Sequence, residues 1–490
     1  MRQLSSQDAV FFYSDNAHAN ANVTLLHIYD QSTAPGGKVR FKSILAHVES
    51  RLERLPMLRH RVMQAPFGLD RPYWVEDEDF NLEYHVRHIA LPKPGDWRQF
   101  CIQASRIHAR PLDLNRPLWE MYVIEGLDTF LDLPQGSFAL LLKIHHAATE
   151  IEHGCELTTL LHDLTPDIAP GEPLEPWFPE APPSDLSLLA RALANTALFP
   201  FSRLMPMARA VVELVPTMFE RLLEIVRQPD HVVATRFNSI VSPHRVFDTR
   251  RFPVADFKAI AGLVDGASPD DVAFAICGGA LRNYLDMQDE LPEASLTASV
   301  PARQHDGAQE HAFSWMRLRL GTDIDDHLAR LAMIREQTSG AQSEAIAGDI
   351  ADVVRYAPAP TVALTSKMLA YASAQLGRWA PLANCAIAHV PGPETPLYLV
   401  GARMTYYSAI MPIADGMGLV FSLTSYDDKV NLSFTSCYEQ LPDPDVFAQC
   451  LRDVFQAYLA LTPAARKLLQ GPAKKPRARR KPATKARAVA

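Results

Sequence analysis

The sequence predicts an α/β protein: two blocks in which apolar strand-like runs alternate with helical segments, a proline-rich break between them, and a basic, polar tail after the second. With 490 residues, 48% of them apolar and 9% aromatic, the chain is long enough for two or three domains with their own cores, which excludes disorder throughout. The expected boundaries are residues 1–164 for the first block, 165–240 for the proline-rich and helical linker, 241–465 for the second block and 466–490 for the tail.

The first block carries a strand-like run at 23–29, a helical segment at 41–52 and further strand-like runs at 122–124 and 138–144. Pro166, Pro170, Pro173, Pro176, Pro179, Pro182 and Pro183 then crowd together and break any regular element. From 184 to 226 apolar residues return at helical spacing, with Leu204, Met207, Val211 and Leu214 on one stretch and Phe219, Leu222, Leu223 and Val226 on the next. Arg203, Arg209, Glu213, Arg221 and Glu224 fall between them, so these helices are amphipathic and either bury a stripe against a neighbouring lobe or lay it on lipid. In the second block Ser268, Pro269 and Asp271 spell a capped helix start, followed by an apolar helix through Val272, Ile276, Leu281 and Leu285. Strands are expected at 296–300, 313–320 and 385–390, the last stopped by Pro391-Gly392-Pro393, and a hairpin at 419–426 and 430–436.

Net charge is −8, yet residues 471–490 hold eight Lys or Arg and no acid. An acidic body with a disordered cationic tail is therefore expected, the tail serving as a solubility segment or as an attraction to anionic membrane rather than as a specific nucleic-acid reader. The six cysteines are scattered with no CxxC pair, the start has no signal-peptide core, and no run approaches the length of a membrane span, so a cytoplasmic location is expected with peripheral lipid contact at most.

Chemistry concentrates at the end of the 138–144 run, where His145 and His146 follow directly. Ligands in α/β sheets gather at the carboxyl ends of strands, and neighbouring residues of an extended chain point to opposite sides. One imidazole can then enter a cleft while the other supports the turn. A histidine there can serve as a general base toward a hydroxyl, which is a poor nucleophile until deprotonated. His145, His146, Glu150, His153, Cys155 and His162 lie close in sequence, but their spacing matches no zinc pattern, and no metal is expected. Glycine-rich phosphate loops and a GxSxG elbow are absent, which weakens nucleotide and serine-hydrolase readings.

His145-His146-Ala147-Ala148-Thr149-Glu150-Ile151, the opening run 4–12, Pro117-Leu118-Trp119-Glu120, Asp270-Asp271-Val272, Gly279-Ala280-Leu281-Arg282 and Val390-Pro391-Gly392-Pro393 together resemble the bacterial wax ester synthase/diacylglycerol acyltransferase family. That family is a branch of the coenzyme A-dependent acyltransferases with an H-H-x-x-x-D-G motif. The resemblance implies two similar lobes of mixed sheet flanked by helices, with a tunnel between them. It implies transfer of a long-chain acyl group from acyl-CoA to the hydroxyl of diacylglycerol or a long-chain alcohol, without an acyl-enzyme and with no cofactor besides the acyl-CoA substrate. His146 takes the place of the general base, His145 and Glu150 support it, and Asp270, Asp271, His389 and Trp119 are candidate substrate contacts. Lipid-droplet or membrane surfaces are the implied surroundings.

This chain departs from the family at several points: Glu150-Ile151 stands for Asp-Gly, Asp270 for Asn, Ala388-His389 for Ser-Asn, and Glu310-His311 for Gly-Asn. A catalytically impaired acyl-lipid binding or lipid-body surface homologue, or an acyltransferase for another lipid hydroxyl, are the alternatives these departures raise. Asp270 and Asp271 are read equally well as helix-capping acids, and Trp119 as packing.

Overall fold

Residues 22–30 and 137–145 form strands rich in apolar residues and buried on both faces, and strands of that kind are stable only when covered on both sides. The computed structural model describes residues 1–127, 133–134, 136–148, 154–167, 177–197, 232–301, 315–339 and 381–463. The chain opens with β1 (Arg2–Gln3), α1 (Ser6–Ser14), β2 (Asn22–Asp30), α2 (Phe41–Arg51), β3 (His60–Met63) and β4 (Tyr73–Glu76). It continues through α3 (Leu82–His85), β5 (Val86–Ala90), α4 (Trp97–Ala109), β6 (Trp119–Leu127), β7 (Ser137–His145), α5 (Gly154–Leu161) and α6 (Asp185–Ala197). The second half holds β8 (Arg245–Pro253), α7 (Val254–Ala261), α8 (Pro269–Met287), β9 (Thr297–Pro301), β10 (Trp315–Arg319) and α9 (His327–Ser339). Then come β11 (Cys385–Val390), β12 (Tyr398–Leu399), β13 (Ala402–Ile410), β14 (Leu419–Tyr426), β15 (Lys429–Cys437) and α10 (Pro444–Leu461).

Among the described residues the strands form two six-stranded sheets, ordered β12-β13-β2-β7-β6-β5 and β10-β9-β11-β14-β15-β8, and a small β1-β4-β3 sheet. Both large sheets are mixed. β2, β7 and β6 run antiparallel in succession while β5 joins β6 in parallel, and β11 lies parallel to both β9 and β14. Alternation along β7 divides its side chains: Ala139 and Leu141 pack with Phe100, Ala104 and Ile107 of α4, while Leu140, Leu142 and Ile144 pack with Ile44, Val48 and Leu157 on α2 and α5. Each fully buried leucine contributes roughly 1.5–3 kcal/mol, so this strand anchors the first lobe.

The second lobe is built on α8. Ser268 and Asp271 form the expected capping box, and most of the helix behind it is buried. Gly278 and Gly279 allow close approach, because a Cβ on the first would sit 2.1 Å from the Leu320 carbonyl and on the second 2.7 Å from Val454 of α10. The expected hairpin of β14 and β15 turns on Asp427 and Asp428, both at positive φ (49° and 58°) as a tight hairpin turn requires.

The division at residue 241 is not clean. β12 and β13 belong to the second block in sequence, yet β13 pairs antiparallel with β2 and completes the first sheet. The apolar β2 would otherwise present an open edge, a site of unwanted pairing. The second lobe meets the crossing strand with side chains: Ser422 Oγ donates to the Ala409 carbonyl at 2.6 Å, and Thr424 Oγ1 and Asn431 Nδ2 donate to that of Tyr407 at 3.0 and 2.7 Å. The helical stretch expected at 204–226, Glu310-His311 and the tail 466–490 lie outside the described residues.

Candidate functional site

β7 is buried along its whole length and ends at His145, and the chain turns at once through a 3-10 segment at His146–Ala148. Backbone bonds from both sides hold this turn. The His145 N–H donates to the Leu118 carbonyl at 2.9 Å, and the His146 N–H to the Ala21 carbonyl at 2.8 Å. Helix α1 lies over it. Phe11 stacks on the His146 ring with centroids 3.8 Å apart and planes at 21°, while Phe12 meets His145 edge-on at 6.3 Å. Phe12 is fixed in turn by a small cluster with Leu4, Val62, Trp74, Leu118 and Ala147.

The two imidazoles have different tasks. His145 is fully buried, and its Nδ1 accepts the Ala147 N–H at 3.1 Å, so a neutral ring there carries its proton on Nε2. That nitrogen faces Oδ2 of Asp15 at 3.8 Å. His146 is 8% exposed. Burial strips water from its charged form, and the adjacent His145 disfavours it further, which together push its pKa down to about 4. At neutral pH the His146 ring is therefore uncharged, with one nitrogen lone pair able to take a proton.

Behind the turn the same strand carries a buried ion pair. Lys143 Nζ lies 2.8 Å from Glu120 Oε2 and donates to the carbonyls of Ile107 and Arg110 at 3.3 and 3.0 Å, closing the carboxyl end of α4. Asn20 and Asn22 donate to the Ala109 and Arg110 carbonyls of the same helix end. This polar layer fixes α4, β2 and β7 relative to one another beneath the histidines.

The other expected site residues are dispersed. Glu150 and Ile151 lie outside the described residues, as do the side chains of His153 and Cys155. Trp119 is 2% exposed, donates its indole N–H to the Leu58 carbonyl at 2.8 Å and stacks on His85, which makes it a packing residue rather than a substrate contact. Asp271 is likewise committed to structure: its Oδ2 accepts the N–H and hydroxyl of Ser268, and its Oδ1 accepts the Thr338 hydroxyl of α9 at 2.7 Å. Asp270 is half-buried in the same first turn, and His389 is exposed at the carboxyl end of β11, beside parallel neighbours. His162 pairs with the Tyr29 hydroxyl at 2.6 Å, and among the described residues no group of three His, Cys, Asp or Glu could hold a metal ion.

Phe11 and Asp15 complete the histidine site and were not singled out by residue chemistry. Phe11 belongs to the opening run that carried the resemblance, but nothing in its spacing points to residue 146.

The wax ester synthase/diacylglycerol acyltransferase catalytic domain model matches residues 4–272, and the WS/DGAT C-terminal domain model matches 311–458. A Mycobacterium tuberculosis (strain H37Rv) protein provisionally named a diacylglycerol O-acyltransferase is 31% identical over 449 residues, covering 88% of this chain and 91% of its own. A Mycobacterium bovis protein with the same provisional name is 30% identical over 461 residues, covering 93% and 98%. The solved wax ester synthase/diacylglycerol acyltransferase from Marinobacter aquaeolei VT8 superposes with a TM-score of 0.65 at 25% identity, covering 94% of this chain and 99% of that one. Trichothecene 15-O-acetyltransferase from Fusarium sporotrichioides, at 11% identity and a TM-score of 0.55 over 93% of this chain and 94% of that one, shares the fold alone.

Proposed function

The chain belongs to the wax ester synthase/diacylglycerol acyltransferase family, and from that premise we propose that it transfers a long-chain acyl group from acyl-CoA to the hydroxyl of diacylglycerol or a long-chain alcohol, with His146 as general base. The observation that carries this reading is the His146 ring itself: uncharged, set at a strand end in the place of the family's motif, and held face-on by Phe11. As the acceptor oxygen attacks the thioester carbonyl, its proton passes to His146; the C–S bond then breaks and the proton leaves with the coenzyme A sulfur. Products are an ester and free coenzyme A, and no resident cofactor or metal takes part. The low basicity of a buried imidazole is offset in this step because the proton is handed on to a developing thiolate rather than kept. Burial of the ring also disfavours water as a competing acceptor.

Lipid acceptors require a lipid-facing surface, and the proposal places it at the first lobe beside α6. Asn195 of α6 donates to Asp70 at 2.8 Å, bringing the helix against the loop that carries Phe67 and Leu69. Phe67 is 89% exposed and sits at φ 59°, a backbone conformation that costs a non-glycine residue about 1–3 kcal/mol. Leu186 and Leu193 are exposed on one face of α6. Among the described residues no helix is long and apolar enough to cross a membrane.

The deciding experiment is esterification by purified protein, with a long-chain acyl-CoA and either diacylglycerol or a long-chain alcohol. Wild type forms ester and releases thiol, and His146→Ala loses at least about 10²-fold in turnover. Wild-type turnover in His146→Ala removes the general-base assignment.

A further inference from the structure

We propose that Asp15 is the positioning acid of the histidine pair, supplying from α1 the support that the resemblance gives to position 150; the inference rests on His146 being the base. The Asp15 side chain is 7% exposed and stands beside His145. Its Oδ2 stands 3.8 Å from Nε2 of His145. Since Nδ1 of that ring is occupied as acceptor of the Ala147 N–H, Nε2 is the protonated nitrogen, the one the carboxylate stands beside. Its Oδ1 accepts the Ala21 N–H at 2.8 Å, and the Ala21 carbonyl accepts the His146 N–H at 2.8 Å. One carboxylate therefore acts on residue 147 through a ring and on residue 146 through the backbone of Ala21, whose N–H it holds and whose carbonyl holds residue 146.

A separation of 3.8 Å is too long for a hydrogen bond, so the effect on His145 is electrostatic orientation. Asp15 does not touch substrate. Its loop is anchored from the second lobe, where Asp415 Oδ2 lies 3.0 Å from His18 Nε2 and Arg245 donates to the His18 carbonyl. The acid is thus held by both halves of the molecule.

Asp15→Asn removes the charge at constant size, and Asp15→Glu restores it with one more methylene. In the full chain, with long-chain acyl-CoA and a long-chain alcohol, Asp15→Asn lowers kcat by about 10- to 100-fold with the acyl-CoA KM within about twofold, whereas Asp15→Glu recovers most of kcat and Glu150→Gln loses less than Asp15→Asn. Melting temperatures of the Asp15 variants stay close to wild type. Unchanged kcat in Asp15→Asn overturns the proposal, as does equal impairment of Asp15→Asn and Asp15→Glu with matching loss of melting temperature, which is the signature of a mere helix-end residue. A second readout does not depend on turnover. Imidazole nitrogen NMR of 15N-histidine-labelled protein, assigned with His145→Gln, reports His145 as the Nε2–H tautomer, and Asp15→Asn shifts those nitrogens. If wild type forms no ester or His146→Ala stays active, the general-base reading fails by itself; unmoved His145 nitrogens in Asp15→Asn then overturn the positioning role too.

Discussion

His146 sits between two opposed effects. Desolvation and the neighbouring His145 bring its pKa down to about 4, while the Phe11 face at 3.8 Å favours the cationic ring by roughly 0.5–2 kcal/mol. Desolvation wins, and the consequence is a base that stays unprotonated across the whole physiological range. The ring is neutral above its folded pKa and loses its acceptor only below it. We therefore expect kcat to be level from pH 8 down to about 5, with no acid limb near the ordinary histidine value of about 6.5. An acid limb centred near pH 6.5 would count against the assignment. Stability sets the lower limit of that measurement. Buried His108 and His162 are held down to about 3 and about 4, so below pH 6.5 the unfolded chain binds protons that the folded one refuses. Each such histidine costs up to about 1.4 kcal/mol per pH unit as pH falls from 6.5 toward its folded value. At this scale the sequence disclosed the histidine pair and its position at a strand end. It could not disclose Asp15, because a contact made across some 130 residues leaves no periodic trace.

At the scale of the element, β7 was legible because a run such as Ala139-Leu140-Leu141-Leu142 has no polar face and must lie inside a sheet. Lys143 breaks that run, and its structural purpose appears only with α4 in place. The ammonium is taken out of water and matched by Glu120 at 2.8 Å and by helix-end carbonyls, which also benefit from a cation at the negative end of the dipole. Removing Lys143 leaves the Glu120 carboxylate with the more exposed Arg87 at 3.3 Å and the Tyr122 hydroxyl at 2.9 Å, and removing Glu120 leaves the buried ammonium with carbonyls for partners. Lys143→Ala should therefore lower unfolding stability by about 3–5 kcal/mol in denaturant titration, whereas Lys143→Met with Glu120→Gln should lose distinctly less. Equal losses in the two would mean that a stranded Glu120 charge does not set the cost. The capping box at Ser268 and the Asp427-Asp428 hairpin were legible for the opposite reason: their signals are local, so tertiary packing had nothing to override.

At the scale of the molecule, the α/β class and two lobes followed from the alternation of elements, but the exchange of β13 did not, since a strand's own residues do not state which sheet it joins. The proposed lipid-facing surface is also a property of the whole, assembled from the 66–69 loop and α6 on either side of the proline-rich stretch. Phe67→Ser with Leu193→Ser should reduce co-sedimentation with anionic phospholipid vesicles several-fold, each buried apolar side chain being worth about 1.5–3 kcal/mol. Esterification of a short-chain alcohol supplied in solution should stay near wild type. Undiminished vesicle binding in the double variant would move the lipid surface elsewhere.

The strand borrowed from the second half also dictates when and how the protein can be assembled. On the ribosome, the first sheet lacks β12 and β13 until residue 410 has emerged, so folding of the first lobe is coupled to synthesis of most of the second. Recombination faces the same constraint. A hybrid of two relatives joined near residue 240 would dock one parent's β13 on the other parent's β2, and only a hybrid that carries 398–410 along with the first half preserves a matched register.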